Sequence, residues 1–275
     1  MEKIFTYRNG KLKASEFVEA FPFLKEKGHI ISLVGAGGKT TLMMLLAELC
    51  SNMGMKVLVS TTTHIVKPCD ETYVNTIVDA YDRWNSGQVV VVGSEINHGP
   101  EAEVSADFHV EENKIKSDDD KSVCRKLAML PEEILDEYMR QADIVFLEAD
   151  GSKRKPLKVP NSTEPVIIDK SDIVIALCGL SSLGHTFGTS CFRLKETENL
   201  LHKSTEDIIS EEDISRIMTS RQGAKKTVEN RQYYIVLNQC DNEAEKNSAC
   251  SIGQLIYDAG EENIIVTCLM NKNEK

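Results

Sequence analysis

The chain predicts an α/β fold with a mostly parallel, doubly wound sheet. Two observations predict it. Short, continuous β-branched apolar runs recur along the sequence, and segments of helical period separate most of them. A third observation places a site: each run ends in small or polar residues, and such sheets bind ligands beyond the carboxyl ends of their strands.

The first run, residues 29–34, leads into Gly35. Residues 41–53 then read as a helix that Gly54 stops, and the run 56–59 follows before Ser60-Thr-Thr-Thr63. Residues 88–121 interrupt the alternation: the valine run 88–93 and a short run at 112–116 flank Asn97-His-Gly-Pro100, with Asp118-Asp-Asp120 beyond. This stretch reads as a small antiparallel insertion. Residues 131–140 form a helix with Pro131 at its first position and acids in its first turn. The run 143–147 ends at Glu148-Ala-Asp-Gly151, and 172–177 ends at Cys178-Gly-Leu180. Helices at 211–220 and 248–259 bracket the run 233–237, and 262–267 adds a sixth strand. No linker or repeat divides these elements, so residues 1–275 read as a single domain.

Of 275 residues, 41% are hydrophobic and 27% charged, and the formal net charge is −11, a globular composition that disfavours nucleic acid or an anionic membrane as a partner. No apolar stretch reaches the roughly 20 residues of a membrane span, and the first ten residues lack a signal-peptide core. The cysteines at 50, 69, 124, 178, 191, 240, 250 and 268 form no C-x-x-C pair, which points to reduced structural thiols and a cytoplasmic location. The six histidines show neither H-E-x-x-H nor ligand spacing with cysteine, and no G-x-S-x-G elbow is present.

The strongest motif is Gly35-Ala36-Gly37-Gly38-Lys39-Thr40-Thr41, which joins a strand to a helix. Glycines let backbone N–H groups turn toward phosphate oxygens, and the helix N-terminus adds donors and a positive dipole. Lys39 is placed to reach the β/γ-phosphates of a nucleoside triphosphate, and the Thr40 hydroxyl to ligate Mg²⁺. Leu33 stands where the longer G-x-x-x-x-G-K-[ST] pattern has its first glycine, leaving G-x-x-G-K-T.

Glu148 and Asp150 leave one face of an extended run, and a cation such as Mg²⁺ would relieve their repulsion. Either could orient an attacking water, so Lys39, Glu148 and Asp150 are the catalytic candidates, with Thr40, Glu148 and Asp150 the metal candidates. Glu148-Ala-Asp-Gly151 is similar to the switch of GTPase-like proteins, in which Gly151 would sense the γ-phosphate. The hydroxyls of Ser60-Thr-Thr-Thr63 could hold phosphate or Mg²⁺, or cap a helix. Asn238-Gln-Cys-Asp241 occupies the place of an N-K-x-D base-reading loop, with Gln239 in place of lysine, and leaves ATP versus GTP open. Lys153-Arg-Lys155 and Lys158 could bind an anionic substrate or partner, or remain solvated. Arg193 is a candidate for stabilising phosphoryl charge.

Together these segments resemble the YqeC family, on Val34-Gly-Ala-Gly-Gly-Lys-Thr-Thr41, Ser60-Thr-Thr-Thr-His64, Val92-Gly-Ser-Glu95, Leu147-Glu-Ala-Asp-Gly-Ser152 with Arg154, Pro156-Leu-Lys158, Glu164-Pro-Val-Ile167, and Gly179-Leu-Ser-Ser-Leu-Gly184. Family members tend to carry a His before the Glu-Pro and a His-Arg after the glycine loop, where this chain has Thr163 and Cys191-Phe-Arg193. The resemblance implies a P-loop NTPase-like fold and an accessory role in maturing selenium-dependent molybdenum hydroxylases or their labile selenium cofactor. Such a hydroxylase, or its cofactor-assembly proteins, is the implied partner.

Three functions compete. An NTP-hydrolysing maturation factor is favoured, with slow turnover that a partner raises. An ATP-dependent small-molecule kinase or ligase would need a second substrate, and a nucleotide sensor would bind without turnover. Cys178 and Cys191 are the thiols nearest the expected site if selenium is handled directly.

Overall fold

A computed structural model of the chain describes residues 3–67, 72–96 and 126–269. In chain order its elements are β1 (Lys3–Arg8), β2 (Lys11–Ala14), α1 (Phe17–Ala20), β3 (His29–Gly35), α2 (Lys39–Asn52), β4 (Val57–Thr61), β5 (His64–Val66), α3 (Ile77–Asn85), β6 (Val90–Val91) and β7 (Ser94–Ile96). There follow β8 (Lys126–Ala128), α4 (Glu132–Gln141), β9 (Ile144–Glu148), β10 (Leu157–Lys158), β11 (Ile173–Gly179), α5 (Phe187–Ser190) and β12 (Cys191–Phe192). The chain closes with α6 (Leu194–Leu201), α7 (Glu211–Thr219), β13 (Gln232–Asn238), α8 (Glu243–Asp258) and β14 (Ile264–Cys268).

Nine strands form the main sheet in the order β2-β1-β14-β13-β11-β3-β9-β4-β6. From β14 to β6 every pairing is parallel. β9 and β11 are buried along their whole length, which is why their sequences are continuously apolar rather than alternating. Helices cover both faces. Val174, Ala176 and Cys178 of β11 share one core with Ile214 and Ile217 of α7 and Ile252 of α8. Ile173, Ile175 and Leu177 share another with Leu42, Met43 and Leu46 of α2. A third core packs α3 and α4 through Trp84 and Leu135 beside the β4–β6 edge.

All six expected strands form, with ends displaced by a residue or two. Several elements differ from expectation. Val90–Val91 is not antiparallel; it pairs parallel to β4 as the far edge of the main sheet. An antiparallel sheet does exist, but only β7 of its strands lies in the 88–121 stretch, with β5 coming from before it and β8 from after it. The expected features at 97–100, 112–116 and 118–120 lie outside the described residues. Pro131 sits at the N-cap of α4 rather than inside it. Helix α8 starts earlier than expected, at Glu243, because Asn242 and Glu245 close a reciprocal capping box.

The N-terminal hairpin β1–β2 lies outside the expected elements, although Asn9-Gly10 is a type I′ turn pair. Both residues are left-handed, at φ of 49° and 79°. The hairpin joins the sheet antiparallel to β14, and Tyr7 packs over Gly253 of α8.

The topology locates a site. From β3 the chain crosses past β9 to reach β4, whereas β11, β13 and β14 build outward on the other side of β3. The direction of winding reverses between β3 and β11, and the loops after those strands meet there.

A Cβ on Gly253 would lie 2.6 Å from the Tyr7 ring. Gly253→Ala is therefore expected to destabilise the fold by about 1–3 kcal/mol despite alanine's higher helix propensity, lowering the thermal unfolding midpoint. An unchanged or raised midpoint would contradict this packing.

Candidate functional site

The loop after β3 is held in place by close backbone contacts. Gly35, Gly37 and Gly38 have φ of 90°, 81° and 113°. A Cβ on Gly35 would fall onto the Leu177 carbonyl, and one on Gly37 onto the Gly179 amide. The Ala36 amide donates to Leu177 O at 2.9 Å, and the Gly35 amide donates to Asp150 Oδ2 at 3.1 Å. Asn238, at the end of β13, donates from Nδ2 to Gly37 O at 2.7 Å, while its Oδ1 accepts from Thr267 Oγ1 at 2.8 Å. The loop is thus braced against β9, β11 and β13.

What the loop leaves open is the start of α2. Helices α3, α7 and α8 are capped by Thr76, Ser210 and Asn242. Helix α2 has Gly38 at its N-cap and no side chain to cap it. Among the described residues, the backbone N–H groups from Gly37 to Thr41 have no hydrogen-bond partner, and Gly37 is buried. This row of donors faces a position suited to an anion.

Beneath the loop runs a chain of alternating charges. Lys39 Nζ donates to Gly35 O at 2.6 Å, lies 3.2 Å from Asp150 Oδ1, and is 3.9 Å from Glu148 Oε1. Lys158 Nζ continues the chain at 3.0 Å from Asp150 Oδ2 and 3.1 Å from Glu164 Oε2, and donates to Gly151 O at 2.5 Å. Arg193 closes it with a bidentate pair to Glu164, at 3.1 and 3.2 Å. The Lys39, Asp150 and Lys158 side chains are only 3%, 2% and 0% exposed, so the pairing is what permits their charges to be buried.

Two carboxyls in this chain respond in opposite senses. Burial pushes Glu148 above the usual glutamate range, and Lys39 and the Thr40 hydroxyl, 2.7 Å from Oε2, only partly offset that. Burial opposes ionisation of Glu164 as well, but Arg193 and Lys158 outweigh it and hold that carboxyl low.

The expected site residues divide clearly. Gly35 to Thr40, Glu148 and Asp150 converge at the β3 and β9 strand ends, as the sequence places them. Gly151 contributes its carbonyl to Lys158 and has open space where a Cβ would lie. Of the hydroxyl cluster, Ser60, Thr61 and Thr62 are spent on backbone carbonyls of Val92, Glu148 and Val166. Thr63 Oγ1 is buried without a partner. Asn238 spends both amide atoms inside the protein, while Asp241 is exposed and accepts from the Cys268 thiol at 3.0 Å. Arg193 is tied to Glu164, a residue given no role of its own from sequence.

Cys178 and Cys191 are buried, which pushes their thiols up to about 12 and about 11. They are therefore protonated and poorly nucleophilic at neutral pH. Among the described residues, no three His, Cys, Asp or Glu side chains converge as a metal site, and no helix is long and apolar enough to cross a membrane.

Comparison with known proteins gives a consistent result. The family model described as YqeC protein matches residues 31–195, a span that contains the glycine loop and the whole ion chain. A relative from Escherichia coli (strain K12), named "Uncharacterized protein YqeC", is 30% identical over 238 residues, covering 79% of this chain and 80% of the relative.

The opposed carboxyls give a stability test. A raised carboxyl contributes stability that is present below about pH 4.5 and lost as pH rises. A lowered carboxyl contributes stability present above that range and lost as pH falls. At pH 7, Glu148→Gln is expected to raise stability by about 1 kcal/mol, because it relieves a disfavoured buried charge. Glu164→Gln should lower it by about 1–3 kcal/mol by stranding Arg193 and Lys158. Thermal melts with both variants shifted in the same direction would contradict this assignment.

Proposed function

The chain belongs to the YqeC family, and we propose that it binds and slowly hydrolyses a nucleoside triphosphate, ATP or GTP, at the loop from Gly35 to Thr41. The observation that carries this reading is the row of unpartnered N–H groups at the uncapped start of α2, with the Lys39 ammonium directly behind it. Bare donors and a cation at a helix N-terminus match a polyphosphate.

The donor set also fits Mg²⁺. Thr40 Oγ1, Glu148 and Asp150 are hard oxygen ligands gathered within one patch, and the Asp150 Oδ1 atom lacks a hydrogen bond. These residues would hold the ion, whose charge would neutralise phosphate oxygens. Lys39 would exchange its carboxylate and carbonyl partners for phosphate oxygens. Glu148 or Asp150 would orient the attacking water, and Gly151, three residues beyond the end of β9, would sense the γ-phosphate. Asn238 would keep the loop open, leaving Asp241 as the acceptor available to a base.

Because Asp150 is shared between Lys39 and Lys158, drawing Lys39 toward phosphate would rearrange the segment from Glu148 to Lys158. We infer that this switch gates an accessory step in maturing selenium-dependent molybdenum hydroxylases or their selenium cofactor, a role supported by the family resemblance alone. With both nearby thiols protonated, the protein's part in that step would be gating rather than carrying selenium on Cys178 or Cys191.

Calorimetric titration with non-hydrolysable ATP and GTP analogues, with and without Mg²⁺, tests the site. Wild type should bind one of them in a Mg²⁺-dependent manner, and Lys39→Ala should weaken binding about 10–100-fold by removing a charge-assisted donor. Unchanged affinity in Lys39→Ala would refute the assignment. In phosphate-release assays, Asp150→Asn should lower turnover about 10²-fold or more. A change in affinity with turnover preserved would instead identify Asp150 as a binding residue only.

A further inference from the structure

We infer a second anion subsite, just past the Asp150 anchor of the glycine loop, built from the adjacent exposed cations Lys153 and Arg154, with Lys153 over the Phe192 ring, and suited to a small phosphorylated or pyrophosphorylated second substrate. The inference deepens the proposed function and rests on it only for the identity of the neighbouring site.

The chain as a whole carries a net charge of −11, so a compact group of cations without acidic partners stands out. Among the described residues, neither Lys153 nor Arg154 has an ion-pair or hydrogen-bond partner, and both are exposed. Lys155, next in sequence, is instead engaged with the Thr189 carbonyl, and Arg193 with Glu164. Within residues 153–158, immediately after Asp150 and Gly151, Lys153 and Arg154 are thus the cations left without a partner among the described residues.

The backbone holds that stretch in an unusual form. Lys153 and Arg154 have φ of 49° and 61°, and Arg193, across from them, has φ of 71°. Consecutive left-handed residues other than glycine are strained, and such strain persists where the surroundings impose it. Here they are imposed by the anchors on either side: Asp150 against the Gly35 amide, and Lys155 against Thr189.

The Phe192 ring supplies the floor. The Lys153 ammonium lies 5.5 Å from its centroid, Lys158 lies 5.6 Å away, and the Arg193 guanidinium 4.6 Å away. Lys158 is also 3.0 Å from Asp150, whose other oxygen is 3.2 Å from Lys39. The two regions are thus connected through one buried lysine. Lys158 has its charge neutralised by Asp150 and Glu164, and Arg193 by Glu164, so of the three cations over Phe192 it is Lys153 that is available to a ligand, with Arg154 next to it in sequence. A small anion fits this island better than an acidic protein would, since a larger partner would also meet the negative remainder of the surface.

The test uses inorganic pyrophosphate titrated calorimetrically into the full chain. Lys39→Ala removes the cation of the glycine loop, and a second variant combines Lys153→Asn with Arg154→Asn, because asparagine tolerates left-handed backbone. Pyrophosphate binding should persist in Lys39→Ala and fall about tenfold or more in the double asparagine variant, the loss of roughly one charge-assisted contact. Circular dichroism should show the same fold for each. With the glycine loop saturated by a Mg²⁺-bound non-hydrolysable nucleotide, wild type should still bind one pyrophosphate. The inference is overturned if the double variant binds like wild type, or if Lys39→Ala abolishes all pyrophosphate binding. Absence of nucleotide binding by wild type would sink the proposed function while leaving this comparison intact.

Discussion

Asp150 is the residue on which the rest of the site depends. Buried at the end of the extended run that begins with β9, it accepts from the Gly35 amide and lies within 3.2 Å of two lysines that have almost no access to water. A buried ammonium without a counter-charge would carry a desolvation cost of several kcal/mol. The positions of Lys39 and Lys158 are therefore consequences of Asp150 being where it is. Glu148 and Glu164 extend the alternation at either end, so each cation in the chain sits between acids or against one.

That chain of charges joins parts of the molecule that the sheet alone keeps apart. Glu148 belongs to β9, Lys39 to α2 and Lys158 to β10, and Arg193 follows directly on β12. The short pairing of β10 with β12 brings Lys158 opposite Phe192. Lys226 adds a brace from outside, donating to the carbonyls of Ser162 and Glu164 at 3.1 and 2.7 Å. A ligand that draws on Lys39 thereby acts on an already balanced set of charges, and the natural response is rearrangement along the set rather than at one residue.

Much of this was legible in the sequence. The β-branched runs announced a parallel sheet because strands buried on both faces admit little else, and the glycines of the loop could be assigned to close approach of backbones. The clustering of Glu148 and Asp150 followed from the alternation of an extended chain. Other features depend on pairings that no local pattern encodes. Glu164 reads as an ordinary acid before a proline, and only folding brings it between Lys158 and Arg193. The hydroxyls of Ser60, Thr61 and Thr62 suggested ligands but are consumed by carbonyls from three other segments. Asn238 resembled a base reader by spacing, whereas contact with Gly37 and Thr267 makes it a brace for the loop. The hairpin at Asn9-Gly10 is different: its turn signal was local, but the strands beside it are short and only partly apolar.

The central claim is that the uncapped turn from Gly37 to Thr41 is a phosphate site coupled through Asp150 to Lys158. The most direct measurement is an amide NMR titration of isotope-labelled protein with Mg²⁺ and a non-hydrolysable nucleotide. The account predicts that the Gly37 to Thr41 amides undergo the largest shifts, accompanied by smaller shifts at Gly151 and Lys158. Saturable nucleotide binding that leaves the Gly37 to Thr41 amides unmoved would contradict it.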